Sequence, residues 1–234
     1  MTRTFAHRAI RSFALGSAFA AIAAAPMSAH ALGLALSLPT NAIQADAIQA
    51  FSPDAQGANE LVGITIEPRG NATAVPGTPG AYNLPVTSIS LQLTGVAGGA
   101  STGSALEFNR INEDTGLPKR VTLANFRIDF TTRQVLADAT QSGKGTVANT
   151  PIFNFHEKTP LGLKYRFPLG LGGQQVLDQL FLTPEAKKVF MEGLELPDFT
   201  EEVLSVLDFG TITVNVVAMP RTRPVSSRPY VVAP

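Results

Sequence analysis

Apolar and polar positions alternate with period two along much of the chain, the mark of strands with one wet face and one dry face. Residues 86–93 (VTSISLQL) put Val86, Ser88, Ser90 and Gln92 on one side and Thr87, Ile89, Leu91 and Leu93 on the other. Residues 59–67 (NELVGITIE) set Leu61 out of phase with Val62, Ile64 and Ile66, which favours a strand. Shorter strands are predicted over 104–109 and 151–156, and residues 176–182 lead into a helix. The last strand runs over 209–217, with Ile212, Val214 and Val216 facing one way. The clearest pair is 121–140 (VTLANFRIDFTTRQVLADAT). With the turn at Thr131 and Thr132, Ile128 lies opposite Val135 and Phe126 opposite Ala137. A slip of one residue would put Ile128 on the wet side.

Between these runs the chain is broken by Gly and Pro. Residues 68–83 read as a loop or irregular edge, 95–103 (GVAGGASTG) as a flexible turn, 112–119 as a polar turn and 160–175 as a Gly- and Pro-broken excursion. Residues 42–50 fit either a short helix or a segment lying across the sheet. No 20–50-residue period repeats.

One stretch departs from the alternation. In FLTPEAKKVFMEGLEL, Ala186, Val189, Phe190, Gly193 and Leu194 fall at i, i+3, i+4, i+7 and i+8, with Lys187, Lys188 and Glu192 outside that stripe. Thr183 is suited to accept from a free amide of the first turn, Pro184 loses nothing at the first helical position, and Glu185 suits the positive end. A helix this short is marginal alone. Helix 183–194 is therefore expected to cap one end of the sheet. The expected fold is mainly β, a single antiparallel β-sandwich or barrel-like domain with one short amphipathic capping helix.

Composition narrows the compartment. Residues 1–31 carry Arg3, Arg8 and Arg11 with no acid, then a 13-residue apolar run and Ala29-His30-Ala31. This is the pattern of a secretory signal cut after Ala31. The run is short of the roughly 20 residues that a membrane-crossing helix needs. The expected organisation is a signal peptide at 1–31, an N-terminal segment at 32–58, a β-rich domain at 59–218 and a Pro-rich flexible tail at 219–234. The product would be exported to the periplasm or the extracellular space, without a transmembrane span. After cleavage 15 basic residues stand against 18 acids, a net charge of −3. That offers nucleic acid no electrostatic attraction. The chain has no cysteine, which removes thiol nucleophiles, thiolate metal sites and disulfide staples. His156 would be the single remaining histidine.

Candidate chemistry is sparse. Residues 99–103 match G-x-S-x-G, and Ser101, Asp138 and His156 follow the chain order of α/β-hydrolases, but the residues after Ser101 read as extended where that motif needs a helix. SGKGT at 142–146 lacks the upstream glycine and the helix of a phosphate loop. Asn112, Asp114 and Gly116 suggest a calcium loop without its terminal acid, hence an Asx-type turn. Asp129 and Asp138 would share one hairpin face beside Arg127 and Lys144, a solvated pair rather than a glycosidase dyad. No catalytic or metal site is assigned.

In PGAYNLPVTSISLQL, VTLANFRIDFTTRQVLADAT, IFNF, LFLTPEAKKVF and DFGTITV, the chain resembles the haem-transport-associated (HtaA-like) domain family of secreted bacterial proteins. The resemblance implies a β-rich extracellular domain with a short helix and, in some members, haem bound through tyrosine with a histidine nearby. That family's N-terminal Trp-containing segment, which supplies the haem tyrosine, has no counterpart, because residues 32–55 hold neither Trp nor Tyr. By residue type alone, Tyr82, His156 and Tyr165 are the candidate ligand-binding residues. The expected function is that of a non-catalytic binding or cell-envelope-associated β-domain for a hydrophobic small ligand such as haem. A structural or adhesive envelope protein and a secreted hydrolase using Ser or carboxylates are the alternatives.

Overall fold

In the computed structural model the described residues are 36–37, 40–92, 95–166, 170–217 and 219–233. All fall in one compact unit, Gly33–Pro234. The expected signal segment lies outside them. The elements run β1 (Leu36–Ser37), β2 (Gln44–Ala50), α1 (Pro53–Leu61), β3 (Thr65–Gly70), β4 (Thr73–Ala74), β5 (Ala81–Pro85), β6 (Ser88–Gln92), β7 (Gly95–Ile111), β8 (Pro118–Asp129) and β9 (Gln134–Gln141). They continue with β10 (Thr146–Arg166), β11 (Gly170–Leu182), α2 (Pro184–Leu194), α3 (Thr200–Val206) and β12 (Thr211–Val217).

All the strand pairs are antiparallel, and together they make one sheet in the order β1-β6-β7-β8-β9-β10-β11-β12-β2-β5-β4, with β3 on β7. The sheet curls into a nearly closed barrel, as expected. Its two flanks meet where Ser101 Oγ in β7 donates to the Leu84 carbonyl in β5 (3.2 Å) and Thr87 N donates to Ala100 O (2.7 Å). Alternation explains the core. Ala45 and Ala47 of β2, Val135, Ala137 and Ala139 of β9, and Ile212, Val214 and Val216 of β12 all point inward and are buried. Of residues 42–50, which fitted either of two conformations, Gln44–Ala50 form an inner strand between β12 and β5.

The β8–β9 hairpin pairs Ile128 with Val135 as expected. Below that pair the register shifts: Ala124 faces Asp138 and Arg127 faces Leu136, so Asn125 and Phe126 together oppose Ala137. The extra residue is Asn125, at φ 54°, a β-bulge that turns the strand.

Helix α2 sits as expected. Thr183 Oγ1 accepts from Ala186 N (3.1 Å) and donates to Pro151 O (2.6 Å), tying the cap to β10. Phe190 meets Phe108 edge to face at 4.9 Å. Arg110, buried in β7, donates to the carbonyls of Leu194 and Glu195 at the negative end of α2 and to Val62 O at the end of α1, satisfying free acceptors at both helix ends.

Four local expectations are corrected. Residues 53–61 form α1, because Ser52 accepts from Ala55 N (3.0 Å), Pro53 opens the helix and Asp54 sits in its first turn; the strand begins only at Thr65. A third helix, α3, follows α2, so the capping helix is one of three among the described residues. Residues 95–103 are the first half of a 17-residue strand, not a flexible turn: a Cβ on Gly98 would stand 2.7 Å from Ile128 O, so glycine here is the condition for close pairing with β8. Residues 160–166 and 170–175 are not a broken excursion but belong to the long antiparallel strands β10 and β11, paired from Phe153 with Leu182 to Arg166 with Gly170 and adjusted by register shifts.

Candidate ligand-binding site

Inward side chains fill most of the barrel. Phe51, Leu84, Leu106, Phe108, Leu123 and Phe153 occupy its middle, and Gln49, Gln175 and Ser101 are the polar residues among its lining. Gln175 Nε2 donates to Glu157 (2.6 Å) and Ser101 Oγ to Leu84 O, so their donors are already committed. The remaining void is about 50 Å³. Pockets that enclose small molecules run to roughly 300–1,000 Å³, and an eight-stranded ring is near the size at which side chains alone fill the interior.

The two ends of this interior differ. At one, α2 covers the sheet, with Gly193 against Val121. At the other, seven residues further along β8 and so roughly 20 Å away, the interior is rimmed by Ile128, Phe130 and Leu161. These three are only partly buried, and Phe130 rests edge-on against Phe155 at 5.7 Å. No described helix covers this end. Among the described residues the barrel thus has a lidded end and, opposite it, an apolar mouth.

The three candidate residues do not converge. Tyr82 lies in β5, half-buried, its ring edge-on to Phe51 at 6.0 Å and its hydroxyl donating to Ile66 O (3.1 Å). Burial pushes this phenol above its ordinary pKa, which disfavours the phenolate that an iron ligand would require. His156 lies in β10, exposed, with Nδ1 2.9 Å from Asp178 Oδ1 across the β10–β11 ladder. Lys158 Nζ approaches the other oxygen of Asp178 at 3.6 Å. In the ring β7-β8-β9-β10-β11-β12-β2-β5, strands β10 and β5 are four places apart in either direction, so Tyr82 and His156 stand on opposite walls. Tyr165 belongs to β10 and pairs with Leu171, nine residues beyond His156 and so up to about 30 Å along the strand; its side chain lies outside the description.

Catalytic constellations are missing among the described residues. Ser101 is 5% exposed and sits within a strand, with no elbow to present its oxygen. Asp138 accepts from Asn125 Nδ2 (2.8 Å) and Asn149 N (3.1 Å), while Asp129 accepts from Thr131 N and Thr132 N in the hairpin turn. Each carboxylate is thus used by local structure. Asn112 Oδ1 accepts from Asp114 N and Thr115 N, the expected Asx turn, and 142–146 is the β9–β10 turn. No cluster of three or more His, Cys, Asp or Glu able to hold a metal occurs among the described residues. No described helix is long and apolar enough to cross a membrane. The mouth could not be read from the sequence: its residues come from the β8–β9 and β10–β11 hairpins, and period-two alternation does not record which end of a strand is covered.

No protein-family profile matches the chain, and no curated protein matches it. Among solved structures, the C-terminal domain of HtaA from Corynebacterium glutamicum superposes with a TM-score of 0.46 at 11% identity, covering 75% of this chain and 98% of that one. The haem-binding protein HtaB from the same organism superposes with a TM-score of 0.43 at 12% identity, covering 77% and 95%.

Proposed function

We propose that this chain is an exported, non-catalytic binding module of the cell envelope that takes a hydrophobic small ligand at the open end of its barrel. The observation that carries this reading is the asymmetry of the interior: one end closed by α2, the other rimmed by partly exposed Ile128, Phe130 and Leu161. Apolar side chains left partly open at one rim are what a hydrophobic ligand would contact. Export rests on the charged, apolar and small-residue pattern of residues 1–31.

Haem does not fit the interior, whose void is about 50 Å³, and the candidate phenol of β5, Tyr82, is already engaged with Ile66 O. If haem is the ligand, its holder is His156 on the outer face, where the Asp178 carboxylate at Nδ1 leaves Nε2 free. Bound there, haem iron would supply ligand exchange or redox chemistry. Titration of the purified protein with haemin, followed by the Soret band, and with a fluorescent fatty-acid analogue, followed by emission, separates the two ligand classes. Saturable binding of the analogue that Phe130→Asp abolishes supports the mouth. A Soret shift lost in His156→Ala supports haem at the outer face. Neither response at micromolar ligand would discard the binding reading and leave the structural envelope role.

A further inference from the structure

The mouth carries a carboxylate on its inner side. Strand β10 outruns the β8–β9 hairpin: its ladder with β9 ends at Asn154 opposite Gln134, and Phe155 N makes a last contact, donating to Arg133 O (3.1 Å). Beyond that point β10 has a partner only on the β11 side. Glu157 is paired there with Leu177, and residues directly opposite in an antiparallel ladder present their side chains to the same face. Leu177 is fully buried in the interior, so Glu157 stands on the inner face. Its exposure follows from the wall ending beside it.

This carboxylate is tied to the lining of the interior. Oε1 accepts from Gln175 Nε2 at 2.6 Å, and Gln175, 3% exposed, lines the interior together with Ile128 and Leu161. A charge-assisted bond of that length fixes where the group sits. Among the described residues Glu157 makes no ion pair. The charged groups around it are turned elsewhere. Lys158 Nζ approaches Asp178 (3.6 Å) on the outer face, where His156 also meets that acid. Arg133, exposed in the β8–β9 turn, forms no ion pair with it, and Asp129 is held by the amides of Thr131 and Thr132. An acid that served only solubility would sit on the outer face; one on the inner face, anchored to a buried amide and without a cation, is an unpaired acceptor beside an apolar surface.

We infer that the mouth selects cationic amphiphiles, small molecules whose apolar chain lies against Ile128, Phe130 and Leu161 while a protonated amine meets the Glu157 carboxylate. This rests on the binding role proposed for the mouth and adds the charge of its ligand. The same carboxylate repels the head group of a fatty acid and the propionates of haem.

The test titrates the purified protein with two dansyl probes of equal chain length, a long-chain alkylamine and the corresponding fatty acid, followed by dansyl emission. Expected is saturable binding of the amine at least about tenfold tighter than that of the acid. Raising the salt from about 0.05 M to about 0.5 M should weaken the amine severalfold. Glu157→Gln keeps an acceptor for Gln175 Nε2 and removes only the charge, so it should bring the two probes within about threefold of each other. Glu157→Lys should reverse the preference, and both variants should keep the parent circular dichroism, since the side chain is exposed. Phe130→Ser should weaken both probes alike. Equal binding of the two probes by the parent protein, or a preference that Glu157→Gln leaves untouched, overturns the inference; the mouth itself then stands if Phe130→Ser still weakens both. Saturable binding of neither probe removes the mouth and this inference with it.

Discussion

The side-chain amide of Asn125 pairs with the backbone of Tyr230 as one strand pairs with another. Its Oδ1 accepts from Tyr230 N (2.8 Å) and its Nδ2 donates to Tyr230 O (3.1 Å), across 105 residues of chain. The same side chain accepts from Gly103 N (3.0 Å) and donates to Asp138 (2.8 Å), so a buried amide in the left-handed bulge of β8 joins β7, β9 and the tail. Further up the tail, Asn71 pairs with Ser226 in the same reciprocal way, and the buried Arg221 guanidinium donates to Asp46, Ala45 O and Val86 O. The Pro-rich tail cannot add a ladder strand; it is strapped to the sheet by side chains.

Asn125→Ala should release the end of that strap. It leaves Gly103 N without its acceptor and puts alanine at φ 54°, so a loss of about 3 kcal/mol is expected, read by urea unfolding. Hydrogen exchange should show faster exchange at Tyr230 and little change at Arg221. An unchanged midpoint would mean that the bulge is set by the backbone alone.

The lid helix should be the most sensitive element to truncation. Phe190 is 5% exposed and packs on Phe108, so Phe190→Ala should cost about 3–5 kcal/mol. Val189, on the same helix but only half-buried, should cost clearly less when cut to alanine. Comparable losses at the two positions would show that α2 does not lean on the core through Phe190.

Gly193→Ala sets two effects against each other. Helix propensity favours alanine by about 1 kcal/mol, but the new Cβ would stand 2.4 Å from Val121 Cγ2, a stiff side chain that is fully buried. Overpacking costs about 1–3 kcal/mol, so the variant should be less stable in thermal unfolding. A raised melting temperature would show that α2 can slide off Val121.

Acid should weaken the fold partly through Glu107. Burial raises the pKa of this carboxyl, but hydrogen bonds from Arg69 (3.0 Å) and Asn109 and the charges of Arg69 and Arg120 outweigh it, holding the group below its ordinary range. A depressed folded-state pKa means that the contribution is complete above the unfolded-state value and is lost as pH falls through the folded-state value. Glu107→Gln should therefore lower stability at neutral pH and flatten its decline on the acid side of the glutamate range. A parallel decline in both proteins would remove Glu107 from the acid response.

How much of this was legible depended on range. The faces of β9 and β12, the Ile128–Val135 register and the cap, stripe and lid role of α2 all stand in the sequence, because each is written in residues a few positions apart. Helix α1 had its signals in Ser52, Pro53 and Asp54, yet its apolar stripe is weak and the alternation from Val62 onward outvoted them. Beyond Phe126 the register slips by one residue, so that Ala124 rather than Asn125 faces Asp138, and only the long-range partners of Asn125 reveal that bulge.

By itself the sequence determined which side chains must be dry, where one helix begins, and that thiol chemistry is excluded, because burial and capping act through neighbours along the chain. Only the tertiary structure decided that a glycine-rich stretch is a strand, that Tyr82 and His156 stand on opposite walls, and that one end of the barrel is lidded while the other is a mouth. Those outcomes depend on which strand lies beside which, and contacts between residues a hundred positions apart leave no periodic trace in the residues that make them.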